Sequence, residues 1–263
     1  MSNNSDNKIE VPFNLYGSLP ALISGEWRNP ACVTIPSHSS MKDTVQSLGI
    51  PHTEVALVVV NATPAEWNHH FACGESVHLY GQDSTDKIGF VFRVDSPPPH
   101  PPRFLLDVHL GRLAAYLRLL GYDTLYDKRD PGDEALVEIS VAENRILLTC
   151  DHGLLNRNAV RHGYLIRSRD SVEQTLEVVE RYGLRAGAKP FSRCLNCNTL
   201  LEPASVEKIK NEAPSKVVRN HGYDPLNYLS CVSCGKLFWH GTHTERMKAL
   251  LERWGIDYPG RAG

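Results

Sequence analysis

Two CxxC pairs, Cys194-Leu195-Asn196-Cys197 and Cys231-Val232-Ser233-Cys234, constrain this chain more than any other feature. Two-residue spacing lets each pair turn both thiols toward one point, and two such knuckles supply the four soft ligands of a tetrahedral zinc site. Gly235, directly after the second pair, suits the tight turn of a knuckle. With four thiolates bound, no coordination position stays open, so the expected zinc is structural. Loose surface thiols or a redox pair are the competing account. The chain has seven cysteines, an odd number that argues against a disulfide framework and for a reducing compartment.

The formal net charge of −2 hides an asymmetry. Residues 1–95 hold 5 basic against 10 acidic side chains, whereas residues 185–263 hold 12 basic against 7 acidic, about +5. The basic end is where a polyanion would dock, although such an excess also suits a solvated surface. The first residues are polar, with no basic-then-apolar leader. No apolar run nears the ~20 residues that cross a bilayer. A cytoplasmic protein with no membrane partner is expected.

Residues 1–7 read as a frayed tail. Ile9, Val11, Phe13 and Leu15 alternate with polar or small residues, the pattern of a half-buried strand. Residues 32–36, 54–61 and 76–81 read as further strands, and Ser40 caps a helix that stops at Gly49. This ββαββ order in residues 1–95 implies a small α+β roll. Cys32 and Cys73 are expected to be buried and inert. Ser96-Pro97-Pro98-Pro99-His100-Pro101-Pro102 then forms a semi-rigid linker, residues 96–102.

From 103 to 184 short apolar runs alternate with helical patterns: strands at 104–106, 123–126, 145–149 and 164–166, helices at 109–120, from Asp133 and from Ser171. Such alternation predicts a parallel, three-layer α/β sheet. Asp107 and Asp151 each follow a buried strand, and Asp133 opens a helix. Capping of orphan N–H groups accounts for any one of them. Three at one sheet edge would repel unless a cation neutralised them, and hard oxygen ligands suit Mg or Mn. Such an ion serves phosphodiester hydrolysis. Cys150, beside Asp151, reads as a buried strand residue. No phosphate-cradling glycine loop follows the first strand. Arg112 and Arg118 are candidate phosphate contacts or plain helix surface. The final segment, 185–263, carries the ribbon, a polar insert between its knuckles and a helix at 244–254.

Phe104-Leu105-Leu106-Asp107, Leu117-Arg118-Leu119-Leu120-Gly121-Tyr122-Asp123 and Leu148-Thr149-Cys150-Asp151-His152-Gly153 resemble the Mut-seven C-terminal RNase family, a PIN-like nuclease with an attached zinc ribbon. Arg193-Cys194-Leu195-Asn196-Cys197-Asn198 and Trp239-His240-Gly241-Thr242-His243 resemble its ribbon motifs. Gly49-Ile50-Pro51-His52-Thr53-Glu54-Val55 resembles the ubiquitin-like β-grasp module that precedes the nuclease in bacterial members. Gly81 runs on into Gln82, so the Gly-Gly tail of sulfur carriers is missing.

The resemblance implies a Mg- or Mn-dependent ribonuclease whose metal ligands are Asp107, Asp133 and Asp151, with Glu134 beside them. Zinc would sit on Cys194, Cys197, Cys231 and Cys234, and the ribbon would help hold RNA. Read as residues alone, Trp239, His240, His243, Arg246 and Lys248 are candidate nucleic-acid contacts, with a packing role for Trp239 an equal alternative. PIN nucleases often carry a fourth acid; here Asn156 stands in that neighbourhood, and Asp170 lies further on. The competing function is a non-catalytic RNA-binding adaptor whose acids only cap helices.

Overall fold

The computed structural model of the protein describes residues 8–84, 93–239 and 241–258. The tail read at residues 1–7, His240, and the side chain of His243 lie outside that description. The chain divides into two compact units, residues 1–99 with 131–165 and residues 100–130 with 166–263. The division runs through residues 103–184.

In the first unit, β1 (Lys8–Tyr16) buries Ile9, Val11, Phe13 and Leu15 while Lys8 and Glu10 face water, the outcome of its period-two pattern. β1 pairs antiparallel with β2 (Ala31–Pro36). Helix α1 (Met41–Ser47) follows, with Ser40 Oγ accepting the Asp43 N–H at 3.2 Å. Gly49, at φ +85°, takes the chain out of the helix. β3 (Val55–Val60) is buried along its whole length, which is why it reads as an unbroken apolar run. A two-residue strand, β4 (Thr63–Pro64), and β5 (Val77–Gly81) complete the sheet, in the order β2-β1-β5-β3-β4. The β1–β5 pair is parallel, as a β-grasp roll requires. Cys32 and Cys73 are exposed, against expectation, because Cys32 points outward on β2 and Cys73 lies in a turn.

Residues 96–102 form no helix or strand. In the second unit β6 (Phe104–Leu106) is fully buried and pairs parallel with β7 (Thr124–Tyr126). Between them a 3-10 turn at Val108–Leu110 leads into α2 (Gly111–Leu119). Gly121, at φ +93°, stands where a Cβ would lie 2.4 Å from the Lys189 carbonyl oxygen, so both conformation and close approach demand glycine.

Back in the first unit, α3 (Asp133–Ala142) leads to β8 (Ile146–Thr149), a short α4 (His152–Leu155) and β9 (Gly163–Leu165). β8 and β9 run parallel. The β-grasp sheet is tied to this segment through the 3-10 turn at His52–Glu54. The Leu165 N–H donates to Glu54 Oε1 at 2.9 Å. His52 Nε2 donates to the Val160 carbonyl at 2.9 Å, and Gln46 Nε2 to that of Asn156 at 3.1 Å. Glu54 is fully buried and His52 is 2 % exposed, so the contact is a packed interior rather than a surface touch.

In the second unit α5 (Ser171–Tyr182) is capped by Asp170, which accepts two N–H bonds, so Ser171 is the first residue of the helix and not its cap. One carboxylate oxygen of Asp170 accepts from both Val172 and Glu173, so the cap falls one residue earlier. The ribbon sheet is β10 (Leu201–Pro203), β11 (Tyr228–Cys231) and β12 (Leu237–Trp239), all antiparallel. The expected polar insert folds into α6 (Val206–Glu212) and α7 (Ser215–His221), which cover a small core of Ala204, Ile209 and Tyr228. Helix α8 (Thr242–Arg253) ends at Trp254, which is wholly buried and donates from Nε1 to the Val172 carbonyl at 3.0 Å. Among the described residues no helix is long and apolar enough to cross a membrane.

Candidate metal centre and strand-end carboxylates

The two knuckles are brought together by the β10–β11 pairing, which sets Leu201 opposite Cys231. In the first knuckle the Cys194 N–H donates to the Thr199 carbonyl, and Asn198, at φ +70°, turns back so that its N–H meets the Cys194 carbonyl at 2.9 Å. In the second, the Gly235 N–H meets the Cys231 carbonyl at 3.0 Å with Gly235 at φ +74°. The four sulfur atoms lie within 4.8 Å of one another, with Cys197–Cys231 at 3.3 Å and Cys194–Cys234 at 3.6 Å.

A tetrahedral ion with Zn–S bonds of ~2.3 Å needs thiolates about 3.8 Å apart, so the cluster fits zinc with little adjustment. Its chemistry fits too. Burial pushes the Cys194 thiol up to about 12. Cys197 falls to about 6, burial opposing and its hydrogen bonds with Thr199 and Cys231 prevailing. A bound cation deprotonates the thiols that coordinate it. With every ligand a cysteine, an ion held here would keep no open coordination position.

Three polar side chains fasten the first knuckle to the α2–β7 region of the same unit. Arg118, 4 % exposed, donates to the carbonyls of Thr124, Leu195 and Asn196 at 3.0–3.1 Å. Arg193 donates to the carbonyls of Gly121 and Asn198 at 3.0 and 2.9 Å. Asn198 accepts the Thr124 N–H at 3.0 Å and donates to Asp123 at 2.8 Å. Arg118 is therefore removed from the phosphate-contact candidates, whereas Arg112 is exposed. The one sequence signal was its place among Leu117, Leu119 and Leu120.

The carboxylates stand as follows. Asp107 follows β6, is 7 % exposed, and accepts the His109 N–H at 2.8 Å as cap of the 3-10 turn. Asp151 follows β8, is exposed, and accepts the Gly153 N–H at 2.7 Å as cap of α4. Both have extended backbones, φ −70°, ψ 168° and φ −98°, ψ 115°. Asp133 departs from its expected capping role: Gly132 holds the cap position, and Asp133 begins the helix proper. It faces Arg157 at 3.8 Å, with both side chains about half exposed (49 and 55 %). Glu134 is exposed on the same turn. Asp107 belongs to the second unit, and Asp133 and Asp151 to the first.

At the position of the missing fourth acid, Asn156 ends α4, its carbonyl accepting from Gln46 and its Oδ1 buried. A carboxylate there would be a buried charge, which the site has no reason to tolerate. Asp170 is spent on capping α5. Cys150 is exposed rather than buried, since β8 ends at Thr149. His109 and His152 are exposed.

Two family models match this chain: one described as the Mut7-C RNAse domain over residues 102–251, and one described as Mut7-C ubiquitin over residues 8–85. No curated protein and no solved structure matches it.

Proposed function

The chain belongs to the Mut7-C RNase domain family, and from that membership we infer that it is a metal-dependent ribonuclease that hydrolyses RNA phosphodiester bonds in the cytoplasm. The observation that carries the reading is the repeated setting of Asp107 and Asp151. Asp107 stands one residue and Asp151 two residues beyond a short, fully buried strand of a parallel pair, each extended in backbone, with a carboxylate oxygen on the N–H two residues ahead. A bound Mg or Mn ion would supply a Lewis acid for the phosphoryl oxygen and a water of lowered pKa.

Asp107, Asp133 and Asp151 are the proposed ligands, with Glu134 in reserve on the turn that begins with Asp133. The capping bonds fix the rotamers of Asp107 and Asp151 while a carboxylate keeps further lone pairs for a cation. The ion pair of Asp133 with Arg157 is half solvated and so worth only about 0–1 kcal/mol, a small obstacle to ligation. The modules in this reading are the β-grasp roll at 1–95, the linker at 96–102, the nuclease at 103–184, and the ribbon at 185–263, which helps hold RNA.

Labelled RNA incubated with the full chain is expected to be cut with Mn and left intact with a chelator. Asp107→Asn and Asp151→Asn should each lower cleavage by more than the ~10–100-fold that loss of an outer-shell partner brings. Undiminished Mn-dependent cleavage by both variants would sink the assignment. Persistent RNA binding without cleavage under any metal would favour the adaptor.

A further inference from the structure

The second unit carries a half-open cleft of about 240 Å³ between the ribbon sheet and α8. Four aromatic rings stand in its walls: Phe191 before the first knuckle, Phe238 and Trp239 on β12, and Tyr258 after α8. Phe191 and Tyr258 pack with centroids 4.9 Å apart at 56°. Trp239 remains 36 % exposed and Leu226, at the rim, 69 %. Rings that served only as core would be covered; these face an opening.

Three properties select the occupant. The volume is below the ~300–1,000 Å³ of pockets that enclose drug-sized ligands, so it suits one planar ring system rather than a peptide helix. Aromatic walls favour a flat π-face. Exposed Lys189, Lys236 and Arg246 adjoin the lining, interspersed with the exposed acids Glu202, Glu245 and Asp257. With 12 basic against 7 acidic residues in 185–263, the surround is complementary to a polyanion. Arg193, in the wall, is held by the Gly121 and Asn198 carbonyls, so it lines the cleft as a fixed group.

We propose that this ribbon cleft takes one unstacked nucleobase of a single-stranded RNA segment, stacked against Trp239. Stacking of splayed bases on aromatic side chains is the usual basis of single-strand recognition. The proposal rests on RNA as the substrate and narrows its class to RNA with accessible, unpaired bases.

The test uses the full chain and a fluorescent single-stranded oligonucleotide, with a duplex of the same length as comparison and no added Mg or Mn. Trp239→Ala is expected to weaken single-strand binding by about 5- to 100-fold and to leave duplex binding within ~2-fold. Trp239→Phe, which keeps a stacking ring, should recover most of the affinity and lose the quenching of tryptophan emission that RNA causes in the parent. Zinc content and melting temperature of each variant establish that the ribbon is folded. Equal single-strand affinity in folded Trp239→Ala and parent overturns the proposal. So does equal quenching in Trp239→Phe, or displacement by an apolar peptide and not by mononucleotide. Base-dependent binding without cleavage under any metal would keep the cleft and sink the nuclease reading instead.

Discussion

A carboxylate that caps a helix and one that holds a cation answer differently to the same substitution. Asparagine caps nearly as well as aspartate, whereas alanine forfeits about 1 kcal/mol. Asp107→Asn and Asp151→Asn should therefore melt within a degree or two of the parent while losing cleavage, and the alanine variants should lose both. Asp170→Ala supplies the contrast, since Asp170 accepts the N–H groups of Val172 and Glu173: melting falls by the value of one cap and cleavage stays. Thermal unfolding paired with Mn-dependent cleavage separates the two roles, and a melting loss in Asp107→Asn as large as in Asp107→Ala would defeat this separation. The aspartates were visible in sequence because each follows an apolar run. Their roles were not, because capping and ligation select the same residue type at the same strand end. Arg118 shows the opposite failure: a charge that reads as surface is buried because three carbonyls accept from it.

At the scale of elements, the turn His52–Glu54 does more than join α1 to β3. The Val160 carbonyl can only accept, so His52 carries its proton on Nε2 and offers Nδ1 to the Gln46 amide at 3.2 Å. Burial lowers the His52 pKa, nearby Lys42 adds to the effect, and the Val160 bond opposes it. His162 is lowered as well, again mainly by burial. A lowered folded pKa means that the unfolded chain binds more protons between the two values. Stability should thus be full above about pH 6.5, fall as the pH drops toward the folded values, and then level off for these groups. Denaturant midpoints measured from pH 8 to 5 check this. His52→Gln should flatten part of the slope, and an unchanged slope would remove His52 as its source. Elements with a long period or a distinctive cap were legible, such as β1, α1 from Ser40 and α5 to Gly183. The α6–α7 insert was not, since so few apolar residues make up its core (Ala204, Ile209 and Tyr228 with Ala213, Val217 and Leu237) that the segment reads as polar.

For the whole molecule, the proline cluster at 96–102 announces a boundary in sequence, yet residues 131–165 fold in one compact unit with residues 1–99. Local pattern reports where a chain stiffens and cannot report which distant segment a buried group will meet. Glu54 holds the Leu165 N–H across 111 positions and His52 the Val160 carbonyl across 108. A fragment beginning at Ser96 removes both partners, together with Gln46 from the Asn156 carbonyl. Each lost hydrogen bond removes about 0.5–1.5 kcal/mol, and a domain has only about 5–15 kcal/mol in all. The fragment also uncovers apolar surface at β9 that the β-grasp roll packs upon. Residues 96–263 should therefore bind a dye for exposed apolar surface and show no cooperative melting, although the CxxC knuckles still take up zinc. In the full chain, Glu54→Gln retains an acceptor and should cost little, whereas Glu54→Ala should lower the melting temperature by several degrees. If the fragment instead melts cooperatively at the temperature of the full chain, the β-grasp roll is an appended module and not part of the nuclease core.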